Sequence, residues 1–228
     1  MSVIQDNLKR TMERIAPVAQ QAGREGADIT LVAVSKFQPL TAIEQTAAFG
    51  QLDFGENYPQ ELWTKASALR EPPVRWHMIG HLQRNKVNRV LPIATLIHSV
   101  DSVRLLDALE TTSQKQDIVV PVLIEVNVSR EPNKSGFAPE ALQTLGKHLL
   151  TLRNVRVEGL MTMAAYDDNV ARCGATFAEL RKLRERLRHE WGLSLPHLSM
   201  GMSNDFEIAI KEGATIVRVG TAIFGARN

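Results

Sequence analysis

"ITLVAVSKFQPLTAIEQTAAFG", residues 29–50, contains the unit from which the fold is read. Ile29 to Val34 are apolar or β-branched almost without interruption, the composition of a strand covered on both faces. The run ends by delivering Lys36, and after Pro39 the segment 40–50 reads as a helix stopped by Gly50. Strand, polar rim residue and glycine-terminated helix form one βα unit.

The unit recurs along the chain. Strands are predicted at 52–55, 74–80, 95–100, 118–128, 155–161, 196–200 and 215–220, with Pro121 near the start of the longest one. Helices are predicted at 58–70, 82–91, 102–116, 139–152, 170–192 and 203–213, and a short piece, "TAIFGARN", follows the last strand. A further amphipathic helix over 2–22, carrying Val3, Ile4, Leu8, Met12, Ile15 and Val18 on one stripe, precedes the first strand. Regular alternation requires parallel strands joined by crossovers, and eight units is the number that closes a barrel. The sequence therefore predicts an α/β chain, a (β/α)8 TIM barrel with an extra N-terminal helix, as one domain over residues 1–228. An open doubly wound sheet would call for a glycine-rich phosphate fingerprint after the first strand, and "AVSKFQP" has no glycine.

Composition narrows the partners. A net charge of +2 from 27 basic and 25 acidic residues, without a long single-sign block, gives no footprint for nucleic acid or an anionic membrane. The first residues, "MSVIQDNLKRTMERIAP", are charged every few positions and have nothing near the ~18 apolar residues of a membrane span. A single cysteine, Cys173, excludes an internal disulfide and suits a reducing compartment. The six histidines show no ligand spacing with cysteine or carboxylates, so no metal is expected. These features describe a cytoplasmic monomer acting on a small molecule.

In a (β/α)8 barrel the working face is the C-terminal end of the strands. Ser35 and Lys36 arrive there from the first strand, Gly55, Glu56 and Asn57 from the second, and Gly80 and His81 from the third. The remaining strands deliver Ser99 and Asp101, Asn127, Met161, then Ser199, Met200 and Gly201, and last Arg218, Gly220 and Thr221. Two loops at this face, 129–139 and 162–169, are candidates for function. Lys36 directly terminates a core strand. It is either a solvated strand end or an amine whose partial desolvation, near another cation, favours the neutral nucleophile that attacks carbonyl groups.

The loops after strands seven and eight, "LSMGMS" and "VGTAIFG", offer Ser199, Gly201, Ser203, Gly220 and Thr221 to a phosphate, a role these loops often take in barrels. Ser203 also reads as the N-cap of the helix containing Asp205, whose charge would repel phosphate, so Ser199 ranks above it. Arg218 either pairs with a carboxylate at the mouth or donates to an aromatic ring nitrogen. A guanidinium cannot accept a proton, so a pyridine facing it stays neutral and is a weak electron sink.

The motifs "AVSKFQP", "FGENYPQE", "WHMIGHLQRNK", "NKSGF", "GLMTM", "LSMGMSND" and "VRVGTAIFGAR", taken in order over essentially the whole chain, resemble those of the pyridoxal phosphate homeostasis proteins, small relatives of the alanine racemase barrel. Pro59 after Tyr58 departs from that pattern. The resemblance implies that Lys36 forms an internal aldimine with pyridoxal 5'-phosphate, and that Arg218 faces the pyridine nitrogen. It also implies that Ser199, Gly220 and Thr221 hold the phosphate while Asn57 and Met161 line the cofactor. It suggests a role in vitamin B6 and amino-acid homeostasis, with PLP-dependent apoenzymes as candidate recipients and no catalytic residue. Racemases of this barrel type take a second base, a tyrosine, from an additional β domain, and the sequence reaches Asn228 before one could begin. Little or no turnover is therefore the expectation, and an amino-acid racemase with Lys36 as its sole base is the alternative. A cofactor-free Schiff-base aldolase would leave Arg218 and the phosphate loops without a ring to bracket.

Overall fold

Strand β1 (Thr30–Val34) is hydrogen-bonded on one side to β2 (Asp53–Glu56) and on the other to β8 (Ile216–Val219), so the sheet closes on itself. Between them run β3 (Arg75–Met78), β4 (Ala94–Val100), β5 (Val120–Glu125), β6 (Val155–Met161) and β7 (His197–Ser199), each parallel to its neighbours. The computed structural model describes residues 2–69, 71–164 and 170–226. Among the described residues the barrel has eight strands in chain order. The predicted fold class is the observed one.

The period of two along a strand separates two cores. Leu31 and Ala33 of β1 belong to the large outer core beneath the helices, whereas Val32 between them joins Leu96, Leu123, Met161 and Ile216 in a small inner cluster. Strands buried on both faces must be apolar nearly throughout, which is why "TLVAV" lacks polar alternation.

The helices are α1 (Val3–Gln21), α2 (Leu40–Ala48), α3 (Pro59–Ala68), α4 (Val87–Val90), α5 (Val103–Gln116), α6 (Leu142–Leu149), α7 (Val170–Trp191), α8 (Phe206–Lys211) and α9 (Thr221–Phe224). Pro59 occupies the first position of α3, where a missing N–H costs nothing, so the departure noted above is accommodated. The extra helix has a structural task. It starts at a capping box, with the Ser2 side chain accepting from the Gln5 N–H and the Gln5 side chain accepting from the Ser2 N–H. Because α9 is a single turn, it cannot cover the outside of the β8–β1 seam; α1 packs against α8, α9 and α2 there, burying Leu8, Ile15 and Ala19. The Asn7 side-chain amide donates to the Ile223 carbonyl at 3.1 Å and ties α1 to α9.

Three differences from the sequence expectation have an identifiable cause. The helix expected over 82–91 is a 3-10 turn at Arg84–Lys86 followed by the one-turn α4. The chain is held back at its start, where the Ser99 hydroxyl donates to the Gly80 carbonyl at 2.6 Å, and Pro92 follows immediately after Leu91. The strand expected over 118–128 leaves the barrel after Glu125, because the Asn127 N–H donates to the Phe137 carbonyl and the Phe137 N–H to the Glu125 carbonyl, closing a loop across residues 127–137. The helix expected from 203 starts at Phe206, since the Asp205 carboxylate turns back to accept from the Met202 N–H at 2.5 Å.

Gly159 shows how tightly the strands pack. A Cβ placed there would lie 2.0 Å from the His197 carbonyl oxygen, and backbone in a paired strand cannot retreat. Gly159→Ala should therefore destabilise the protein by about 2–3 kcal/mol, the range of overpacked interiors; a urea midpoint equal to wild type would contradict this.

Candidate functional site

The mouth of the barrel is assembled from strand ends that the closure brings together. Ala33 of β1 pairs with Val219 of β8, so Lys36 and Gly220 leave adjacent strands. The Val34 side chain lies 3.4 Å from the position a Gly220 Cβ would take. The turn that carries Lys36 is held from below by a buried ionic cluster. The Ser35 hydroxyl donates to Glu56 Oε1 at 2.7 Å, and Lys65 Nζ from α3 donates to the Ser35 carbonyl, to Glu56 Oε1 and to Glu61 Oε2 at 2.7–2.8 Å. Phe37, next to the lysine, sits at φ 63° and donates its N–H to Glu61 Oε2 at 2.8 Å. A left-handed conformation is costly for a phenylalanine, and this carboxylate holds it there. Burial pushes the Glu56 carboxyl up, against the hydrogen bonds from Lys65 and Ser35. Ser35 and Glu56 were expected at this face, but Glu61 and Lys65 were not; their spacing, one helical turn apart, was the available signal.

Arg218 lies in the interior, 4% exposed, with Nη1 donating to Ser199 Oγ at 2.6 Å and Nη2 to the Thr162 carbonyl at 3.0 Å. Burial lowers it to about 10, while the charges of Glu125 and Asp205 act the other way, so it remains a cation at neutral pH. The salt bridge considered for it is not made among the described residues; its two partners are a hydroxyl and a carbonyl.

The phosphate loops are arranged differently from expectation. Ser199 is fully buried, its hydroxyl bonded to Arg218 and to His98, and lies inside the barrel. Ser203, in the turn between β7 and α8, reaches the start of α9, where its Oγ accepts from the Gly220 and Ala222 N–H groups, each at 3.3 Å. Two N–H groups at the start of α9 thus converge on one oxygen. The charge objection to Ser203 weakens because Asp205 is buried and already engaged with the Met202 N–H. Gly201 permits this turn: its φ is 94°, and a Cβ would stand 2.6 Å from that of Ala209. Thr221 opens α9 and is exposed; Asn57 follows β2 and is part-buried; Met161 ends β6, buried in the inner cluster. Of the loop over 162–169, residues 165–169 lie outside the described residues.

Opposite Arg218 stands an acidic group that the sequence did not single out. Glu125 ends β5 nearly buried, and burial raises its carboxyl to about 7, helped by the charge of Asp101 and opposed by Arg218 and His81. Asp101 accepts from or pairs with His81 Nδ1 at 2.9 Å. Among the described residues, no group of three or more His, Cys, Asp or Glu side chains is placed to hold a metal ion, and no helix is long and apolar enough to cross a membrane.

A strand-end lysine, an interior guanidinium and a pair of N–H groups thus come from adjoining strands of one (β/α)8 barrel. Residues 5–228 match the alanine racemase, N-terminal domain, family. The pyridoxal phosphate homeostasis protein of Aquifex aeolicus is 45% identical over 98% of this chain and 98% of its own length. That of Pseudomonas aeruginosa is 43% identical over 100% of this chain and 97% of its own. The structure of PipY from Synechococcus elongatus with PLP bound superposes with a TM-score of 0.87 at 34% identity, covering 97% of this chain and 100% of that one. The chain belongs to the alanine racemase N-terminal domain family and, within it, to the pyridoxal phosphate homeostasis proteins.

The raised Glu125 makes a pH prediction. Its folded value, about 7, exceeds the ordinary 4.5, so its contribution to stability is fully present below 4.5 and is lost as pH rises toward 7. Relative to Glu125→Gln, wild type should lose stability across that interval; parallel stability curves for the two proteins would contradict the assignment.

Proposed function

We propose that this protein binds pyridoxal 5'-phosphate at the barrel mouth, linked through Lys36, and serves vitamin B6 and amino-acid homeostasis as a holder of the cofactor with little or no turnover. The observation that carries the reading is the juxtaposition, across the β1–β8 seam, of the Lys36 turn, the Arg218 guanidinium and the two N–H groups that meet Ser203. Their chemistry fits the group: an amine for an aldehyde, a donor for a ring nitrogen and an N–H pair for a phosphoryl oxygen. The names of the relatives and the PLP in PipY support the same reading.

When bound, the cofactor supplies an aldehyde for the lysine and a ring able to withdraw electrons. The other contributions are the protein's own. Glu61, Glu56 and Lys65 hold the turn that presents Lys36. Gly220 and Thr221, together with Ser203 and Ala222, are the groups we assign to the phosphate, and Asn57 and Met161 to the walls of the site. Ser199 is assigned a place beneath the ring, holding Arg218. Arg218, cationic and unable to accept a proton, leaves a facing pyridine neutral, which keeps the ring a weak electron sink. We read residues 1–228 as one domain acting as a cytoplasmic monomer, with PLP-dependent apoenzymes as recipients.

The test is absorbance of the full-length protein titrated with pyridoxal 5'-phosphate. Wild type should develop a lysine-linked visible band that Lys36→Ala lacks. A wild type that never binds the cofactor would overturn the reading. Racemisation of any amino acid by the loaded protein well above that by free cofactor would replace the holder with a racemase.

A further inference from the structure

The inner barrel contains a continuous hydrogen-bond array that spacing along the chain does not reveal. Asp53 Oδ1 lies 3.0 Å from His77 Nε2, His77 Nδ1 lies 2.9 Å from His98 Nε2, His98 Nδ1 lies 2.8 Å from Ser199 Oγ, and Arg218 Nη1 closes the run at 2.6 Å. All five residues are at most 8% exposed. The array starts at the N-terminal end of the barrel, where Arg75, half exposed on β3, donates Nε and Nη2 to the two oxygens of Asp53 at 2.7 and 2.5 Å. It ends at the opposite end of the strands, on the guanidinium of the mouth.

Donor and acceptor bookkeeping gives this array one direction. Arginine has only donors, so Ser199 Oγ accepts at that link. An ionised Asp53 only accepts, so His77 carries its proton on Nε2. A neutral His77 then offers a bare Nδ1, to which His98 must donate from Nε2. A neutral His98 is left with a bare Nδ1, which takes the Ser199 hydroxyl proton. With both imidazoles neutral every link is filled in this direction alone; a doubly protonated His77 would fill the same links with His98 protonated on Nδ1 instead. The states of Asp53 and His98 have local causes. Burial would raise Asp53, but hydrogen bonds from His77 and Arg75 outweigh it and bring the carboxyl to about 2. Burial above all, with the nearby Arg218 charge, holds His98 well below 6.5.

We propose that Asp53, His77 and His98 are positioning residues for Arg218: from the far end of the barrel they fix the Ser199 hydroxyl as an acceptor, and so fix the plane of the guanidinium. The Thr162 carbonyl holds the other Nη and makes the plane determinate. Among the described residues the Asp53 side chain bonds to Arg75 and His77 alone, so an effect of its replacement on Arg218 must travel through the two imidazoles. An amide at this place removes the charge and brings a donor to His77. That donor permits the opposite tautomers, in which His98 Nδ1–H points at Ser199 and the hydroxyl proton loses its acceptor. The link to the cofactor rests on the assignment of Arg218 to the ring; the positioning of Arg218 itself does not.

The experiment is side-chain 15N NMR of the full-length protein without cofactor, followed by titration with pyridoxal 5'-phosphate. In wild type, His77 and His98 should both be neutral and protonated on Nε2. Asp53→Asn should move the Arg218 Nη signals and weaken pyridoxal 5'-phosphate binding about tenfold, the scale of one charge-assisted hydrogen bond. Asp53→Glu should restore part of both. Protonation of wild-type His98 on Nδ1, or Arg218 signals unmoved in Asp53→Asn while only the melting temperature falls, would overturn the proposal. If Asp53→Asn does not fold, the wild-type tautomers decide. A wild type that binds no cofactor but shows the Arg218 response would strike the cofactor reading and leave the array standing.

Discussion

Pairing of the first strand with the last is the constraint on which the molecule depends. Four register pairs, from Thr30 with Ile216 to Ala33 with Val219, close the barrel, and only at this seam do segments from opposite ends of the chain share hydrogen bonds within the sheet. Everything assigned to the mouth follows from that register. A shift by one residue would turn Val32 and Arg218 outward and send Leu31 and Val217 into the interior, exchanging the two cores. The extra N-terminal helix guards this seam by covering it where α9 is too short to do so.

The interior of the barrel trades stability for orientation. Filling it with apolar side chains alone would avoid desolvating Asp53, His77, His98 and Arg218, and a buried polar group left unpaired costs about 1–3 kcal/mol. The linear array avoids that loss by giving each member a partner. The cluster under Lys36 is less complete, since Glu56 Oε2 is buried with no hydrogen-bond partner among the described residues. Each arrangement holds one part of the mouth in place, the turn that carries Lys36 at the strand that opens the seam and the Arg218 guanidinium at the strand that closes it.

Much of the fold was legible because apolar runs such as β1 and β5 alternate at regular spacing with amphipathic segments such as α1 and α5. Lys36 and Arg218 were legible as residues of strand ends. Boundaries were less so where tertiary bonds intervene, as at Asp205, whose side chain delays α8, and at Phe137, which draws the chain away from β5. The ranking of Ser199 above Ser203 rested on the charge of Asp205, whose carboxylate is turned back onto the Met202 N–H. The histidines looked idle because metal-ligand spacing was sought along the chain, while His77 and His98 meet as inward-facing residues of adjacent strands, a relation that linear spacing does not show.

The central claim is that the strand-end lysine anchors the cofactor. Borohydride reduction of the protein loaded with pyridoxal 5'-phosphate, followed by proteolysis and mass mapping, tests it most directly. The account predicts one reduced adduct, on the peptide containing Lys36 and on that side chain. An adduct confined to another lysine, such as Lys65, Lys86 or Lys134, or no adduct from a protein that binds the cofactor, would contradict it.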